Sequence, residues 1–194
     1  MTDTTRTELR REFRSLRRSI PADDRPALDR AARDRLLALL RERRAGTIAL
    51  SVPTDGEIDV ADLAPSLRTL GWTVVLPVVD ETEPGRMRFH RWDADTPLRA
   101  NRYGIAEPVG TPTVEPEHLD VVVVPAVAVD DRGARLGFGG GFYDRILADR
   151  SAHTLVVAAV HERQLTDSLP SAPHDQPVDV VVTPTRTRWT ARPL

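Results

Sequence analysis

The chain has 194 residues, a net charge of −2, no cysteine and 40% hydrophobic against 29% charged residues. That is the length of one domain of about 100–200 residues, and the balance of a globular protein in water with a real core. It excludes disulfides, thiolate catalysis and cysteine-based metal sites and gives no bulk attraction to nucleic acid or a membrane surface.

All 27 basic residues are Arg, so no Lys can serve as nucleophile, base or phosphate anchor, and any cationic role falls to the always-protonated guanidinium. No apolar run is long enough to span a membrane or to form a leader segment, and a cytoplasmic protein is expected.

Residues 4–18 are rich in Arg and Glu, and Leu9, Phe13 and Leu16 recur at i, i+4 and i+7, one face of an amphipathic helix. Arg6 and Arg10 form an i, i+4 pair there. Arg14, Arg17 and Arg18 extend the basic surface, with Glu8 and Glu12 interleaved. Pro21-Ala-Asp-Asp opens a second helix that carries Ala27, Ala31, Leu36, Leu39 and Leu40 near a 3.6-residue period and ends by Gly46. A strand is expected over 47–52, a helix over 59–70 stopped by Gly71, a strand over 72–79 and a short edge strand over 86–91. Residues 93–118 are proline-rich and lack periodicity. They read as an ordered loop with Tyr103, Ile105 and Val109 available to pack. The nearly continuous apolar run 119–125 has the character of a strand covered on both faces. A glycine-rich turn, a helix over 142–148, a strand over 154–160, a polar segment over 162–169 and a last strand over 178–183 complete the chain. This alternation predicts an α/β fold, a single three-layer α/β/α domain over 1–194, Rossmann-like, with a mostly parallel (mixed) sheet and N-terminal helices. Ligands in such folds sit beyond the C-terminal ends of the strands. The glycine turn, which follows the 119–125 strand, belongs to that edge.

In Arg135-Leu-Gly-Phe-Gly-Gly-Gly-Phe-Tyr-Asp-Arg145, glycine fills four of the five positions from Gly137 to Gly141. Backbone without Cβ atoms can turn its amides inward at φ > 0. Successive inward N–H groups make an anion-binding concavity, reinforced by a helix N-terminus. Arg135 and Arg145 flank it with guanidinium forks suited to phosphate. A Walker loop would continue with Lys-Ser/Thr, and a dinucleotide fingerprint would lie at the first strand-to-helix turn. This loop does neither. Asp144, one turn into the helix, is close enough to hold Mg²⁺ against a bound phosphate. A glycine turn that only permits close packing is the alternative. The triple glycine, bracketed by Arg and followed by Tyr-Asp-Arg, favours a phosphate cradle.

Three further positions stay open on the residues alone. Glu57, in Pro53-Thr-Asp-Gly-Glu-Ile-Asp59, follows a strand on the same sheet edge. It could accept hydrogen bonds from the N–H groups of a bound heterocycle or serve only as a first-turn acid for the next helix dipole. Asp175 could join Asp144 at a hard cation, since two carboxylates with phosphate oxygens and water suit Mg²⁺, or cap a turn before Pro177. Met87 and Phe89 share one strand face, which is more often core than pocket.

The stretch from Arg135 to Arg145, preceded by Val124-Pro125-Ala126-x-Ala128 and Asp130-x-x-Gly133, resembles the 5-formyltetrahydrofolate cyclo-ligases, also called methenyltetrahydrofolate synthetases. The resemblance runs through nearly the whole chain. It implies ATP and Mg²⁺ as cofactors and 5-formyltetrahydrofolate, possibly polyglutamylated, as the small-molecule substrate of a monomer. It assigns nucleotide contacts to Arg6, Arg10, Arg135, Leu136, Gly137, Phe138, Gly139, Gly140, Gly141, Phe142 and Tyr143. Arg10 and Arg145 take catalytic roles, and Asp144 and Asp175 hold the metal. Val52, Glu57, Met87, Phe89, Tyr103 and Glu107 line the folate side. The implied reaction converts 5-formyltetrahydrofolate and ATP to 5,10-methenyltetrahydrofolate, ADP and phosphate, through a phosphorylated formyl oxygen displaced by N10. No protein nucleophile and no general base with a shifted pKa is expected.

The chain departs from the family pattern at Arg6 (Lys), Phe138 (Arg or Tyr), Phe142 (Tyr), Ala126 and Ala158 (Gly), and His161 (an aromatic position). These leave a divergent folate or nucleotide binder with weak or altered activity as the second reading. A third, a sugar-phosphate isomerase or acyl-CoA transferase on a similar scaffold, would need a catalytic carboxylate or Lys, and this chain has no Lys.

Overall fold

A computed structural model describes residues 3–80, 82–83 and 85–190, with side chains from residue 5 onward. In chain order it contains α1 (Asp3–Arg18), α2 (Arg25–Arg41), β1 (Thr47–Ala49), α3 (Ala64–Thr69), β2 (Thr73–Val79), β3 (Met87–Arg91), β4 (Leu98–Ala100), β5 (Ala106–Pro108), β6 (Thr113–Val114), β7 (Val121–Val124), β8 (Ala128–Asp130), β9 (Arg135–Leu136), α4 (Phe142–Ala148), β10 (Leu155–Ala159), β11 (Leu165–Thr166), β12 (Val180–Val182) and β13 (Thr187–Trp189). Single 3₁₀ turns lie at Ala61–Leu63, Pro116–His118 and Glu162–Gln164.

Eight strands form one mixed sheet in the order β13-β12-β10-β7-β1-β2-β3-β6. The centre, from β12 to β2, is parallel; β13 and β3 run antiparallel to it, and β6 pairs antiparallel with β3 at the margin. The two-residue period of a strand divides its side chains between two cores. Val121 and Val123 of β7 join Ile48, Val74 and Val157 under Leu36 and Leu40 of α2 and Leu67 of α3. Val122 and Val124 join Ala49, Val75, Phe89 and Val156 under Ile146 and Leu147 of α4. Helices on both faces of a parallel centre make the three-layer α/β architecture, and they explain why β7 reads as an unbroken apolar run.

From β1 the chain builds outward on one side to β2, and on the other side through β7 to β10 and β12. The C-terminal ends of β1 and β7 therefore border a topological switch point, where an open α/β sheet leaves a crevice.

A smaller sheet, β11-β8-β9, stands beside the large one. Phe13 of α1 packs on it with Val127, Ala128, Leu136 and Leu169, and Leu9 lies partly buried at the same place. This seat carries α1 over the glycine loop that follows β9.

Several elements differ from the sequence expectation. The buried stripe of α1, Phe13 and Arg17, continues into Ile20 of the turn that follows, while Leu16 is exposed. The second helix starts at Arg25, because Pro21–Asp24 closes a hydrogen-bonded turn first. Met87–Arg91 is not the sheet edge: β6, two residues between Pro112 and Pro116, pairs outside it. Residues 93–118 contain the β4–β5 hairpin as well as loop. Strand β12 is not the last, since β13 pairs with it antiparallel.

Candidate active site

At the switch point lies a cavity of about 610 Å³, the size of a small-molecule site. Its walls come from each element the topology delivers there. The segment after β1 supplies Ser51, Val52, Thr54, Asp55 and Glu57, and β2 supplies Pro77 and Val79. Met87 opens β3, and Tyr103 and Glu107 come from the β4–β5 hairpin. Pro125 follows β7, the glycine loop follows β9, and α1 contributes Arg6, Arg10 and Arg14 across the top.

The loop is shaped by its glycines. Gly139 has φ +104° and Gly141 φ +63°, left-handed values that an L side chain adopts only with strain. A Cβ on Gly140 would come within 2.8 Å of the Phe142 ring. Among the described residues, none accepts a hydrogen bond from the N–H groups of Phe138, Gly139, Gly140 or Gly141. Four consecutive amide donors are thus left for something outside the fold.

The cations around the loop are held by specific partners. Arg10 donates from Nε to Gly137 O at 2.9 Å. Arg6 donates from Nη2 to Asp175 Oδ2 at 2.7 Å. Buried Arg135 donates from Nη2 to Asp144 Oδ1 at 2.6 Å. Among the described residues the buried Nε atoms of Arg6 and Arg135 have no hydrogen-bond partner. Desolvation lowers the pKa of Arg135 from the usual guanidinium range, partly offset by Asp144, but it stays a cation.

Each proposed metal acid spends one oxygen on internal contacts. Oδ1 of Asp144 accepts from Arg135 and from the Gln176 N–H at 3.1 Å. Oδ2 of Asp175 accepts from Arg6 and from the Ala172 N–H at 2.7 Å. Among the described residues the other oxygen of each carboxylate accepts no hydrogen bond, with only the exposed His174 Nε2 near Asp175 Oδ1 at 3.8 Å, so two acid oxygens are available to a cation. Among the described residues no cluster of three His, Asp or Glu could hold a metal unaided. That donor deficit suits Mg²⁺, which takes one or two carboxylates and completes its shell with phosphate oxygens and water.

On the opposite wall, Glu57 accepts from Thr54 N at 2.9 Å through Oε2. Its Oε1 is buried without a hydrogen bond. Burial raises the Glu57 carboxyl above the ordinary carboxylate range, against the opposing Thr54 hydrogen bond and the charge of Arg17. Burial likewise raises the Tyr143 phenol, assisted by Glu57, and keeps it protonated.

Most residues assigned from the sequence meet at this one cavity: Arg6, Arg10, Val52, Glu57, Met87, Tyr103, Glu107, Arg135, Gly137 through Tyr143, Asp144 and Asp175. Three do not. Phe89 is fully buried in the sheet core. Leu136 points into the small core beneath α1. Arg145 lines a separate shallow cavity, its guanidinium bound to Gly85 O at 2.7 and 2.9 Å and to Gly140 O at 2.6 Å. It braces the glycine loop from behind. Glu107 reaches the wall, but its Oε1 is committed to Val79 N at 2.8 Å and Asn101 Nδ2 at 2.6 Å, which tie the hairpin to β2. Tyr103 sits half-exposed at the rim.

Sequence reasoning missed Asp55, whose backbone has φ +53° and whose carboxylate accepts from Arg14 at 2.7 Å, Arg17 at 2.8 Å and Arg18 at 2.5 Å. The Asp55-Gly56 dipeptide is a turn signal, but nothing local announces three arginines converging on it.

Comparison with known proteins shows the family of the chain. A profile of the 5-formyltetrahydrofolate cyclo-ligase family matches residues 2–184. The 5-formyltetrahydrofolate cyclo-ligase of Haemophilus influenzae is 34% identical over 181 residues, 91% of this chain and 97% of that one. The enzyme of the same name from Mycolicibacterium smegmatis is 36% identical over 191 residues, 96% of this chain and 97% of that one. The solved structure of Aquifex aeolicus 5,10-methenyltetrahydrofolate synthetase superposes with a TM-score of 0.84 at 32% identity, covering 97% of this chain and 95% of that one. With its α/β fold, its switch-point cavity and this likeness along nearly its full length, the chain belongs to the 5-formyltetrahydrofolate cyclo-ligase family of enzymes.

Proposed function

We propose that the cavity joins ATP and 5-formyltetrahydrofolate and closes the folate to 5,10-methenyltetrahydrofolate, with release of ADP and phosphate. The observation that carries this reading is the set of four unpaired loop amides bordering the same cavity as the unpaired Glu57 Oε1. One wall offers donors for a polyphosphate and the other an acceptor for a heterocycle N–H edge.

The formyl oxygen is a poor leaving group until it carries the γ-phosphoryl group of ATP, after which N10 of the same molecule can attack and phosphate departs. Such transfer is mostly positioning and charge neutralisation. The amides of Phe138 to Gly141 bind and align the phosphates. Arg135 and Arg6, each with a buried unpaired Nε, add donors to oxygens on which charge develops. Arg10, clamped on Gly137 O, holds a cationic fork over the loop. Asp144 and Asp175 would hold Mg²⁺ through their remaining oxygens, where the ion supplies neutralisation of the bridging phosphate charge. Tyr143, kept neutral, packs over Arg135 at 5.9 Å from guanidinium to ring centroid. Glu57 orients the pterin, and Val52, Met87 and Tyr103 shape the apolar side of its pocket.

The direct test incubates the protein with ATP, Mg²⁺ and 5-formyltetrahydrofolate and follows the near-ultraviolet absorbance of the methenyl product alongside ADP. Equimolar product and ADP are expected; folate binding with no turnover would leave a binder and reject the ligase reading. Glu57→Gln is expected to raise the KM for the folate about tenfold or more, the loss of a charge-assisted hydrogen bond of about 1.5–3 kcal/mol. An unchanged KM removes Glu57 from the folate site.

A further inference from the structure

Arg17 is the strangest residue in the first helix. It occupies the buried stripe of α1 between Phe13 and Ile20, and its side chain is 0% exposed. An apolar residue would fill that place at no electrostatic cost, whereas burying a guanidinium carries a desolvation penalty of several kcal/mol on the order of magnitude.

The fork is fixed in its plane by two hydrogen bonds to one residue, Nε to Asp55 O at 2.9 Å and Nη2 to Asp55 Oδ2 at 2.8 Å. Its third nitrogen, Nη1, is buried and has no hydrogen bond. It faces Glu57 Oε1 at 3.6 Å, and that oxygen is the buried acceptor left open in the cavity wall. The separation is too long for a hydrogen bond yet short for an ion pair in a desolvated place. Arg17 therefore attracts the carboxylate without consuming its lone pairs.

We propose that Arg17 is a positioning residue: from behind the cavity wall it keeps Glu57 ionised and oriented, with Oε1 open to the N–H edge of the folate heterocycle. The proposal rests on the assignment of Glu57 to the folate. The other groups around Glu57 bring no cation to Oε1. Thr54 also favours the carboxylate, through its N–H and hydroxyl, but it bonds only Oε2. Asp55, on the same loop, repels the carboxylate, and Tyr143 from α4 is neutral. Arg25 at the start of α2 and His161 beyond β10 bond the carbonyl of Gly56, and burial holds His161 uncharged. Burial alone favours the neutral acid at Glu57, and Arg17 is its ion-pair partner among the described residues.

The test is the pH profile of the KM for 5-formyltetrahydrofolate between about pH 5 and 8, read on the same substrate for wild type and variants, so that substrate ionisation cancels. The wild type is expected to lose folate affinity as pH falls and Glu57 protonates. Arg17→Met removes the charge but leaves Asp55 its contacts with Arg14 and Arg18, and should move that acid limb up by about one pH unit or more, the effect of losing a close opposite charge. Arg17→Gln tests the same loss with a polar side chain if the Met variant does not fold. Arg17→Lys restores the charge and should return the limb towards its wild-type position. Asp55→Asn loosens the anchor of α1 without removing the cation, and because it deletes a like charge it should not move the limb upward.

A folded Met or Gln variant whose limb stays at the wild-type pH, while Glu57→Gln lacks the limb altogether, overturns this proposal alone. A Glu57→Gln variant that keeps both the limb and full folate affinity overturns the reading of Glu57, and this proposal with it.

Discussion

A buried ion pair is a weak source of stability but a costly thing to break. Arg135 and Asp144 show what this means for testing the site. The Arg135 side chain is 4% exposed and its charged fork leans on Asp144 at 2.6 Å. Asp144→Ala strands that charge and is expected to destabilise the fold by about 3–5 kcal/mol, so lost turnover in that variant would say nothing about a metal. Asp144→Asn keeps an acceptor for Arg135 and removes the negative charge. It should retain most of the wild-type melting temperature while the Mg²⁺ concentration for half-maximal turnover rises steeply; unchanged Mg²⁺ dependence takes Asp144 out of the metal site.

His161 gives a second prediction of the same kind. Burial lowers its pKa to about 4, opposed by the Gly56 carbonyl and assisted by Arg25 and Arg17. A folded-state pKa below the unfolded value of about 6.5 means the unfolded chain binds the extra proton first. The stability from this group is complete above about pH 6.5 and falls as pH drops towards 4, by about 3 kcal/mol in all. Urea unfolding across that window should show a steeper pH dependence for wild type than for His161→Phe. Parallel curves would mean that the imidazole titrates normally in the fold.

At the scale of elements, a pattern long enough to repeat could be read, and what depends on a distant partner could not. The valine run of β7, the period of α2 and the glycine stretch before α4 each carry their own signal, and each became the expected element. Strands β6 and β9, of two residues each, are too short to alternate, and they exist because β3 and β8 offer them an edge. Arg17 looked like one more member of a solvated basic face, because its burial depends on Asp55, 38 positions away. Phe89 and Leu136 show the converse. Both sit within motifs whose other members line the cavity. Alternation turns Leu136 away from Arg135 and Gly137 into the small core. Phe89 shares the face of Met87 but lies two residues further along the strand, inside the sheet core.

Arg145 belongs with these elements too. Its guanidinium ties the start of α4 to Gly85 and the loop carbonyl of Gly140, which makes it a brace for the glycine loop. Arg145→Ala is expected to raise the nucleotide KM several-fold and leave kcat within about threefold. A donor aimed at developing charge would cost about 10²–10³ in kcat when removed, and a loss of that size would return Arg145 to the chemistry.

The molecule as a whole divides into a rigid frame and a clasp. The parallel centre of the large sheet is covered on both faces, and most of its strand residues belong to the two principal cores. Helix α1 is attached differently. It has a small apolar seat of its own and is otherwise held by charges: Arg6 on Asp175, Arg10 on Gly137 O, and Arg14, Arg17 and Arg18 on Asp55. All five of those contacts end on residues that line the cavity, so whatever fills the cavity also bears on the helix. Local opening free energies differ within one fold, with elements that close over ligands drawn from the low end. Amide hydrogen exchange should therefore find the strands from β12 to β2 most protected in the free protein, with α1 and residues 137–141 much less so. ATP with Mg²⁺ should raise protection in the loop and in α1 together, because the phosphates engage the unpaired amides while Arg6 and Arg10 close on the same charge. Adding 5-formyltetrahydrofolate should extend the effect to residues 52–57 and to the β4–β5 hairpin. Loop protection that rises while α1 stays unchanged would show that the helix is a fixed wall and that Arg6 and Arg10 take no part in holding the nucleotide.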